Sequence, residues 1–295
     1  MISVIIPTLN EASDLPGCLA SVSWCDDVHV FDSFSSDATT AIAKAAGAQV
    51  SQRRFDNYAS HRNAALALPT LRHEWVLFLD ADERMTEGLR REMLTAVRGA
   101  KPDVGAFRLR RRDYFMGRWL KHAQISPFYI RLFRRGAATY EREVNEVARV
   151  RGRIEDLREY FDHFPFSKGL SHWVEKHNRY STMEARCALA TRRGDVPCSP
   201  WRAFFARDFN ERRFHQKELF YRLPARPLIK LLYMLILRGA ILDGRAGIRY
   251  ALLQTAYEWL IVMKSEEAAA GQTQELRPST DAAISPLPQR QPSSP

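Results

Sequence analysis

The sequence predicts an α/β fold, a mostly parallel sheet flanked by helices with an amphipathic helical extension at its C-terminal end. Three observations predict it. The first hundred residues alternate short β-branched runs with helical patterns, which is how parallel strands joined by crossover helices read. Trp75-Val76-Leu77-Phe78-Leu79 is a continuous apolar run of the kind found in a sheet covered on both faces. Residues 226–263 combine wide apolar faces with arginines and lysines spaced by multiples of four, which puts the cations on one stripe of a helix.

Along the chain, Ile2–Ile6 reads as the first strand, followed by a helix that Asn10 or Ser13 would cap and that runs to about Val22. Val28–Asp32 is the second strand. Ser36 or Asp37 would cap a helix through Ala46 that stops at Gly47, and Ala48–Ser51 is a short third strand. A helix over Tyr58–Leu68 precedes the apolar run at 75–79. From 104 onward the pattern loosens into Val104–Arg110 and Phe128–Phe133, separated by Arg110-Arg111-Arg112 and a turn at Gly117-Arg118-Trp119. A helical segment from His172 to Ala190 leads to Pro197 and Pro200. A helix beginning at 226 and a second over Ile248–Met263 flank a break at Asp243–Gly247. The last thirty residues are rich in Pro, Ser, Gln and Ala and read as a disordered tail. The implied organisation is 1–225 as the main domain, in halves 1–103 and 104–225, then 226–264 as a membrane-associating extension and 265–295 as the tail.

With 295 residues, folding needs no covalent staple. Cys18, Cys25, Cys187 and Cys198 form no CxxC pair and read as reduced thiols in a cytosolic protein. Met1 runs straight into a strand with no basic leader, so no signal peptide is expected. The most apolar stretch, Leu231–Leu237, is bracketed by Lys230 and Arg238 and is far short of the roughly 20 residues needed to cross a bilayer. The net charge of +10 is uneven: residues 1–100 carry 9 Lys and Arg against 13 Asp and Glu, and residues 101–250 carry 32 against 16. The basic half should face an anionic partner.

Three strand ends deliver polar residues to one place: Thr8 to Glu11, Asp32 to Asp37, and Asp80 to Glu83. Ligands of open α/β sheets sit beyond the carboxyl ends of the strands. Asp80-Ala81-Asp82 is the strongest signal, because paired carboxylates at a strand end repel unless a cation neutralises them. A hard divalent ion, Mg²⁺ or Mn²⁺, does this while gripping a diphosphate. Asp32 is placed to accept hydrogen bonds from a nucleobase or ribose. No GxGxxG follows the first strand, which disfavours a dinucleotide-binding dehydrogenase.

The order PTLNE, DSFSSDAT, RNAAL and FLDADE resembles the family 2 glycosyltransferases, whose domain is GT-A, a Rossmann-like arrangement, and more narrowly the lipopolysaccharide-core β-1,4-glucosyltransferases. The narrower likeness extends through Val144-Asn145-Glu146, Lys176–Tyr180 and Leu242–Gly247 and covers the chain to about 264. It implies that Pro7, Thr8, Asn10, Glu11, Asp32 and Arg62 shape the nucleotide-sugar pocket, that Asp80 touches ribose or metal, and that Asp82 is the principal metal ligand. It also implies inverting transfer of a sugar, glucose from UDP-glucose, onto an anionic lipid-linked acceptor such as the lipopolysaccharide inner core, at the inner face of the bacterial inner membrane. Glu146 is the candidate base, with Glu143 and Glu141 as neighbours. Two departures stand out: Asn145 where the subgroup commonly has His, and Phe34 where it commonly has Gly. The arginine clusters at 110–112 and 134–135 fit phosphates or acidic sugars on the acceptor. Arg222, Arg226, Arg238, Arg245 and Arg249 suit anionic headgroups at a membrane surface.

Two other readings compete. A nucleic-acid-binding module would use the high pI and the arginines interleaved with aromatics between 107 and 135, but it leaves the strand-end acids unexplained; no nucleic acid is expected. A nucleotidyltransferase would share the acids, yet such enzymes begin with a glycine-rich phosphate loop, and this chain has no glycine before Gly17.

Overall fold

The computed structural model describes residues 1–124, 128–141, 147–193, 197–206 and 209–270. These divide into two compact units, Met1–Gly169 and Leu170 onward. The boundary expected at 225 therefore falls inside the second unit. The segment at 271–295 lies outside the described residues, as do Glu143, Asn145 and Glu146.

The first unit runs β1 (Ile2–Thr8), α1 (Leu15–Ser21), β2 (Val28–Asp32), α2 (Thr39–Ala45), β3 (Gln49–Gln52), α3 (Tyr58–Leu66), β4 (Trp75–Phe78), β5 (Glu83–Arg84) and α4 (Glu87–Gly99). It continues with β6 (Val104–Phe115), β7 (Arg118–Trp119), β8 (Tyr129–Arg134), β9 (Ala138–Glu141), β10 (Val147–Val150) and β11 (Arg153–His163). The main sheet has the order β3-β2-β1-β4-β8-β6-β11-β5, with β7 paired to β6, and β9 and β10 form a separate hairpin. Pairing is parallel from β3 through β4. Beyond it β8 is antiparallel to both β4 and β6, whereas β11 is parallel to β6. The sheet is thus mixed, parallel in its N-terminal half.

The strand alternation divides one apolar sequence between two cores. Val4, Ile6, Trp75 and Leu77 pack in one with Leu15 and Leu19 of α1, Ala43 of α2 and Leu89 and Met93 of α4. Ile5, Val76 and Phe78 pack in the other with Ala59 and Ala65 of α3 and Tyr140 of β9. Every residue of β4 is buried, as a strand covered on both faces requires. The predicted caps need correction. Asp14, not Asn10 or Ser13, precedes α1 and makes no side-chain cap bond. Asp37 does serve the start of α2, accepting from the Thr39 amide at 2.9 Å, and Gly47 ends that turn with φ +78.

The second unit contains α5 (Gly169–Arg193), α6 (Pro200–Phe205), α7 (Phe209–Tyr221), α8 (Arg226–Leu232), a π-helical turn Tyr233–Leu237, a 3₁₀ turn Ala240–Asp243 and α9 (Gly244–Ala269). α9 is longer than the Ile248–Met263 expected. The stripe Arg226, Lys230, Arg238 does not form one helix face, because the π turn widens the register between its last two members. Arg226 is fully buried, 3.4 Å from Glu258 and over the Tyr221 ring; it sits in the helical core and is no headgroup contact. The Lys176–Tyr180 segment likewise serves architecture: His177 stacks on Trp173, and Lys264 donates to the Asn178 carbonyl at 2.7 Å.

At the sheet end away from the acidic motif, buried Asp27 accepts from Ser3, from the Arg72 amide at 2.9 Å and from Arg72 Nε at 3.0 Å, and lies 3.0 Å from His29 Nε2. Burial alone would raise its carboxyl; the Ser3 and Arg72 bonds and the His29 charge outweigh it and bring it to about 2. A depressed carboxyl stabilises the fold at pH above its unfolded value, and that contribution disappears as pH falls through the folded one. Asp27→Asn should cost roughly 2 kcal/mol at pH 7, and the difference from wild type should close between about pH 4 and pH 2. Urea titrations at both pH values measure it; equal loss at pH 7 and pH 2 contradicts the assignment.

Candidate active site

The carboxyl ends of β1 and β2 carry two loops that are bonded to each other before any ligand arrives. Asn10 adopts φ +56, a left-handed conformation that asparagine tolerates. In that pose its Oδ1 accepts from the Ser36 amide at 2.9 Å, while its own amide donates to Ser35 Oγ at 2.8 Å. The Glu11 amide donates to Thr39 Oγ1 at 2.8 Å, and the Ala12 amide to Asp37 Oδ2 at 3.1 Å. Lys168 closes the group, 2.8 Å from Glu11 Oε1 and donating to the Asn10 carbonyl at 2.8 Å. Burial nonetheless lifts the Glu11 carboxyl above its ordinary value, with Lys168 opposing.

Asp32 is the hub of the second loop. Its carboxylate is buried and accepts from Thr8 Oγ1 at 3.0 Å, the Ser35 amide at 2.9 Å, Ser35 Oγ and Gln52 Nε2 at 2.9 Å. A nucleobase or ribose reaching it would exchange for one of these donors. Phe34 stands at φ +62. Glycine takes that backbone conformation freely and a bulky side chain does so under strain, which gives a conformational reason for the glycine that the resemblance leads one to expect here. The Phe34 ring is half exposed, with the Arg54 guanidinium 5.6 Å from its centre.

The acids after β4 sit among protein cations. Arg131 of β8 is buried; its Nη2 donates to Asp80 Oδ2 at 2.7 Å and to Glu83 Oε1 at 3.1 Å. Arg62 of α3, stacked over Phe78, lies 3.5 Å from the other Asp80 oxygen. The Asp80 amide donates to Glu83 Oε2 at 2.8 Å. Burial pushes the Asp80 carboxyl up, yet Arg131 and Arg62 outweigh it and hold it well below the usual carboxylate range. Glu83 goes the other way: burial, with Asp80 adding to it, lifts its carboxyl to about 7 against the pull of Arg131. Among the paired acids, then, Asp80 stays charged.

The repulsion between the two aspartates is relieved here by cations of the protein itself. Asp80 is neutralised by Arg131 and Arg62. Asp82 instead faces His163, whose Nε2 lies 3.3 Å from Asp82 Oδ2 and whose Nδ1 lies 2.5 Å from Asp113 Oδ1. Strand register explains the meeting: His163 ends β11, opposite Asp113 of β6 and opposite Glu83 of β5. Burial disfavours charge on the imidazole, but Asp113 and Asp82 outweigh that and push it up to about 9.

No cluster of three Asp, Glu, His or Cys side chains that would enclose a metal occurs among the described residues. The donor chemistry still fits a hard cation that shares its shell with a substrate, because such ions are commonly held by one or two protein ligands plus phosphate oxygens and water. A histidine whose second nitrogen is fixed by a carboxylate is the usual form of a ligating imidazole, and Asp113 stands in that place. Asp82 and His163 are the residues that would hold it.

Of the residues expected from sequence, the structure brings Thr8, Asn10, Glu11 and Asp32 into one bonded group and Arg62 against Asp80. Pro7 is the penultimate residue of β1 and is partly exposed. Glu146 lies outside the described residues, while Glu141 is exposed and 2.9 Å from Arg149. Sequence reasoning missed Arg131, His163 and Lys168. Arg131 carried a signal, an arginine inside the apolar strand Tyr-Ile-Arg-Leu-Phe, which demands a buried acid; His163 and Lys168 carried none. The arginines assigned to the acceptor are largely occupied internally: Arg111 with Asp113 at 3.0 Å, Arg112 with Asp162 at 2.5 Å, Arg134 with Glu74, and Arg135 donating to the Leu71 carbonyl at 2.7 Å. Arg110 lies over the Tyr160 ring.

Removing Arg131 strands the buried Glu83 carboxyl and takes from the partly exposed Asp80 its shortest ion pair. Arg131→Leu should destabilise the fold by about 3–5 kcal/mol, and adding Asp80→Asn with Glu83→Gln should recover most of it. Urea denaturation of the single and triple variants decides; a loss below about 1 kcal/mol, the scale of an exposed ion pair, would remove Arg131 from this role.

Comparison with known proteins agrees with this geometry. Residues 3–161 match glycosyl transferase family 2. Over 294 residues, 96% of this chain and 97% of the relative, the chain is 26% identical to the lipopolysaccharide core biosynthesis glycosyltransferase LpsC of Rhizobium meliloti (strain 1021). Over 93 residues, 31% of this chain and 32% of the relative, it is 37% identical to an uncharacterized glycosyltransferase of Rickettsia felis. Among solved structures, the glucosyl-3-phosphoglycerate synthase of Mycobacterium tuberculosis is 23% identical with a TM-score of 0.33 over 38% of this chain and 44% of that one. The match spans more than half of the chain and takes in all three strand ends of the site: the protein is a glycosyltransferase and belongs to glycosyl transferase family 2.

Proposed function

We propose that the chain is an inverting, metal-dependent hexosyltransferase that moves a sugar, glucose from UDP-glucose, onto an anionic lipid-linked saccharide such as the lipopolysaccharide inner core. The observation that carries this reading is the Asp82–His163–Asp113 chain, with Asp82 in the segment that follows β4. It offers one carboxylate and one oriented imidazole, and a hard cation held by so few protein groups would complete its shell with phosphate oxygens and water. A divalent cation bound there supplies positive charge opposite the departing diphosphate.

The protein's own groups do the rest. Asp80, held in place by Arg131 and Arg62, is fixed as an acceptor for the ribose hydroxyls beside that cation. The bonded loops of Asn10, Glu11, Asp32 and Ser35 form a rigid wall for the nucleotide, so little ordering entropy is lost on binding. Glu146, on sequence grounds, takes the proton from the acceptor hydroxyl. That oxygen forms the new bond to the anomeric carbon as the bond to the diphosphate breaks, inverting the centre. The near full-length relationship to a protein named for lipopolysaccharide core biosynthesis supports an acceptor of that class. No helix among the described residues is long and apolar enough to cross a membrane; the proposed association is with the surface of the inner leaflet.

Calorimetry of UDP with Mn²⁺ tests the cation site. Wild type should bind UDP only with the ion, Asp82→Asn should lose that dependence, and Asp113→Asn should weaken cation affinity roughly 10–100-fold by freeing His163 to rotate. Metal-dependent turnover retained in Asp82→Asn ends the proposal. Glu146→Gln should leave UDP binding unchanged and slow transfer by roughly 10²–10⁴-fold, read by release of UDP with acceptor present; a smaller loss moves the base to Glu143.

A further inference from the structure

The Leu242–Gly247 motif has no part in the site just described, yet it is built with unusual care. α8 ends in the π turn, where the Arg238 amide bonds back to the Tyr233 carbonyl at 2.9 Å. Gly239 then takes φ +69 and Gly244 φ +64, bracketing the 3₁₀ turn Ala240–Asp243. α9 presses directly on that turn: a Cβ on Gly247 would stand 2.1 Å from the Ala240 carbonyl oxygen and 2.6 Å from Asp243 Cβ. Glycine at 247 is therefore what allows the turn to seat, with Ala240 and Asp243 buried beneath it.

A tightly seated turn would ordinarily point its apolar side chains inward. This one presents them outward: Ile236 is 66% exposed, Leu237 79%, Ile241 54% and Leu242 65%. The charge around them has one sign. Residues 222–265 hold seven Lys and Arg and two acids, Asp243 and Glu258, and both acids are buried. Arg222, Arg245 and Arg249 are exposed. An aliphatic tip flanked by exposed arginines, with both carboxylates of residues 222–265 withdrawn from the surface, is complementary to a layer that is apolar inside and anionic outside.

We infer that the turn Ile236–Leu242 is a membrane-inserting tip: Ile236, Leu237, Ile241 and Leu242 enter the interface of an anionic phospholipid bilayer, and Arg238, Arg245 and Arg249 meet its headgroup phosphates. The inference rests on the proposed membrane association and sharpens it, because the two helices do not lie flat along the surface but present the turn between them. Buried Arg226 takes no part.

Co-sedimentation of the full chain with vesicles tests it. Wild type should pellet with phosphatidylglycerol–phosphatidylcholine vesicles, weakly with phosphatidylcholine alone, and less as salt rises. Ile236→Asp/Leu237→Asp should lower partition to the anionic vesicles by about tenfold or more, with slow hydrolysis of the sugar donor unchanged as proof of folding. Leu252→Ser/Trp259→Ser, on exposed positions of α9, should leave partition near wild type. Tip and α9 variants that bind alike, or an α9 variant that alone fails, overturn the tip and leave membrane association standing. Wild type that ignores anionic vesicles overturns both. A tip variant whose only change is loss of a dimer on gel filtration assigns the turn to a second copy of the chain and overturns the inference.

Discussion

Three acids within four residues, Asp80, Asp82 and Glu83, close a strand that is buried on both faces, and the cations that make this tolerable come from elsewhere in the chain. At about 4 Å and an effective dielectric near 20, two like charges repel by about 4 kcal/mol, enough to unmake a marginally stable domain. Arg131 bridges Asp80 and Glu83, Arg62 takes the second oxygen of Asp80, and His163 faces Asp82. These arrive on β8, α3 and β11. The antiparallel direction of β8 is what makes the first possible: Leu77 pairs with Leu132, so the chain of β8 reaches the acid end of β4 at Arg131. A parallel strand in the same place would carry Arg131 toward the other end of the sheet. The mixed topology beyond β4 is thus tied to the electrostatics of the site.

That arrangement divides labour between the two aspartates. Asp80 is charged, bonded and held by two arginines, and Asp82 is paired with a histidine whose other nitrogen Asp113 holds. The cleft wall follows the same logic. Asn10, Ser35, Ser36, Asp37 and Thr39 bond across the gap between two loops, and Lys168 pins them from a third. Order is built in before the donor arrives, and the left-handed turns at Asn10 and Phe34 are the backbone form in which it is stored.

The excess of positive charge resolves into two populations once partners are assigned. Among the arginines of the sheet, Arg108 and Arg112 reach acids on β11, Arg111 pairs with Asp113 on its own strand and Arg134 with Glu74 just before β4, and aromatic rings underlie several of them. They balance the sheet and contribute little to its outward field. In the helical unit, by contrast, both acids of residues 222–265 are withdrawn inside while Arg222, Arg245 and Arg249 are exposed, so a local rather than a global surplus is what an anionic layer would meet.

How much of this was legible depends on the range of the interaction involved. Strand and helix positions through Phe78 follow from local periodicity, as do the three polar strand ends, because side-chain alternation and the burial of a two-faced strand leave their mark on consecutive residues. Family membership was legible in the same short segments. Cap positions and the fate of the arginines were not, since a cap is decided by which oxygen the folded loop turns toward the helix and an ion pair by which strands lie side by side. Amino-acid order alone determined that acids would converge at the end of β4. Only tertiary structure decided that Arg131 and Arg62 would claim Asp80, that His163 would face Asp82, and that Arg226 would vanish into the helical core. The reason is that each of these pairings joins residues tens of positions apart or more through strand register and helix packing, and no local pattern encodes a partner that distant.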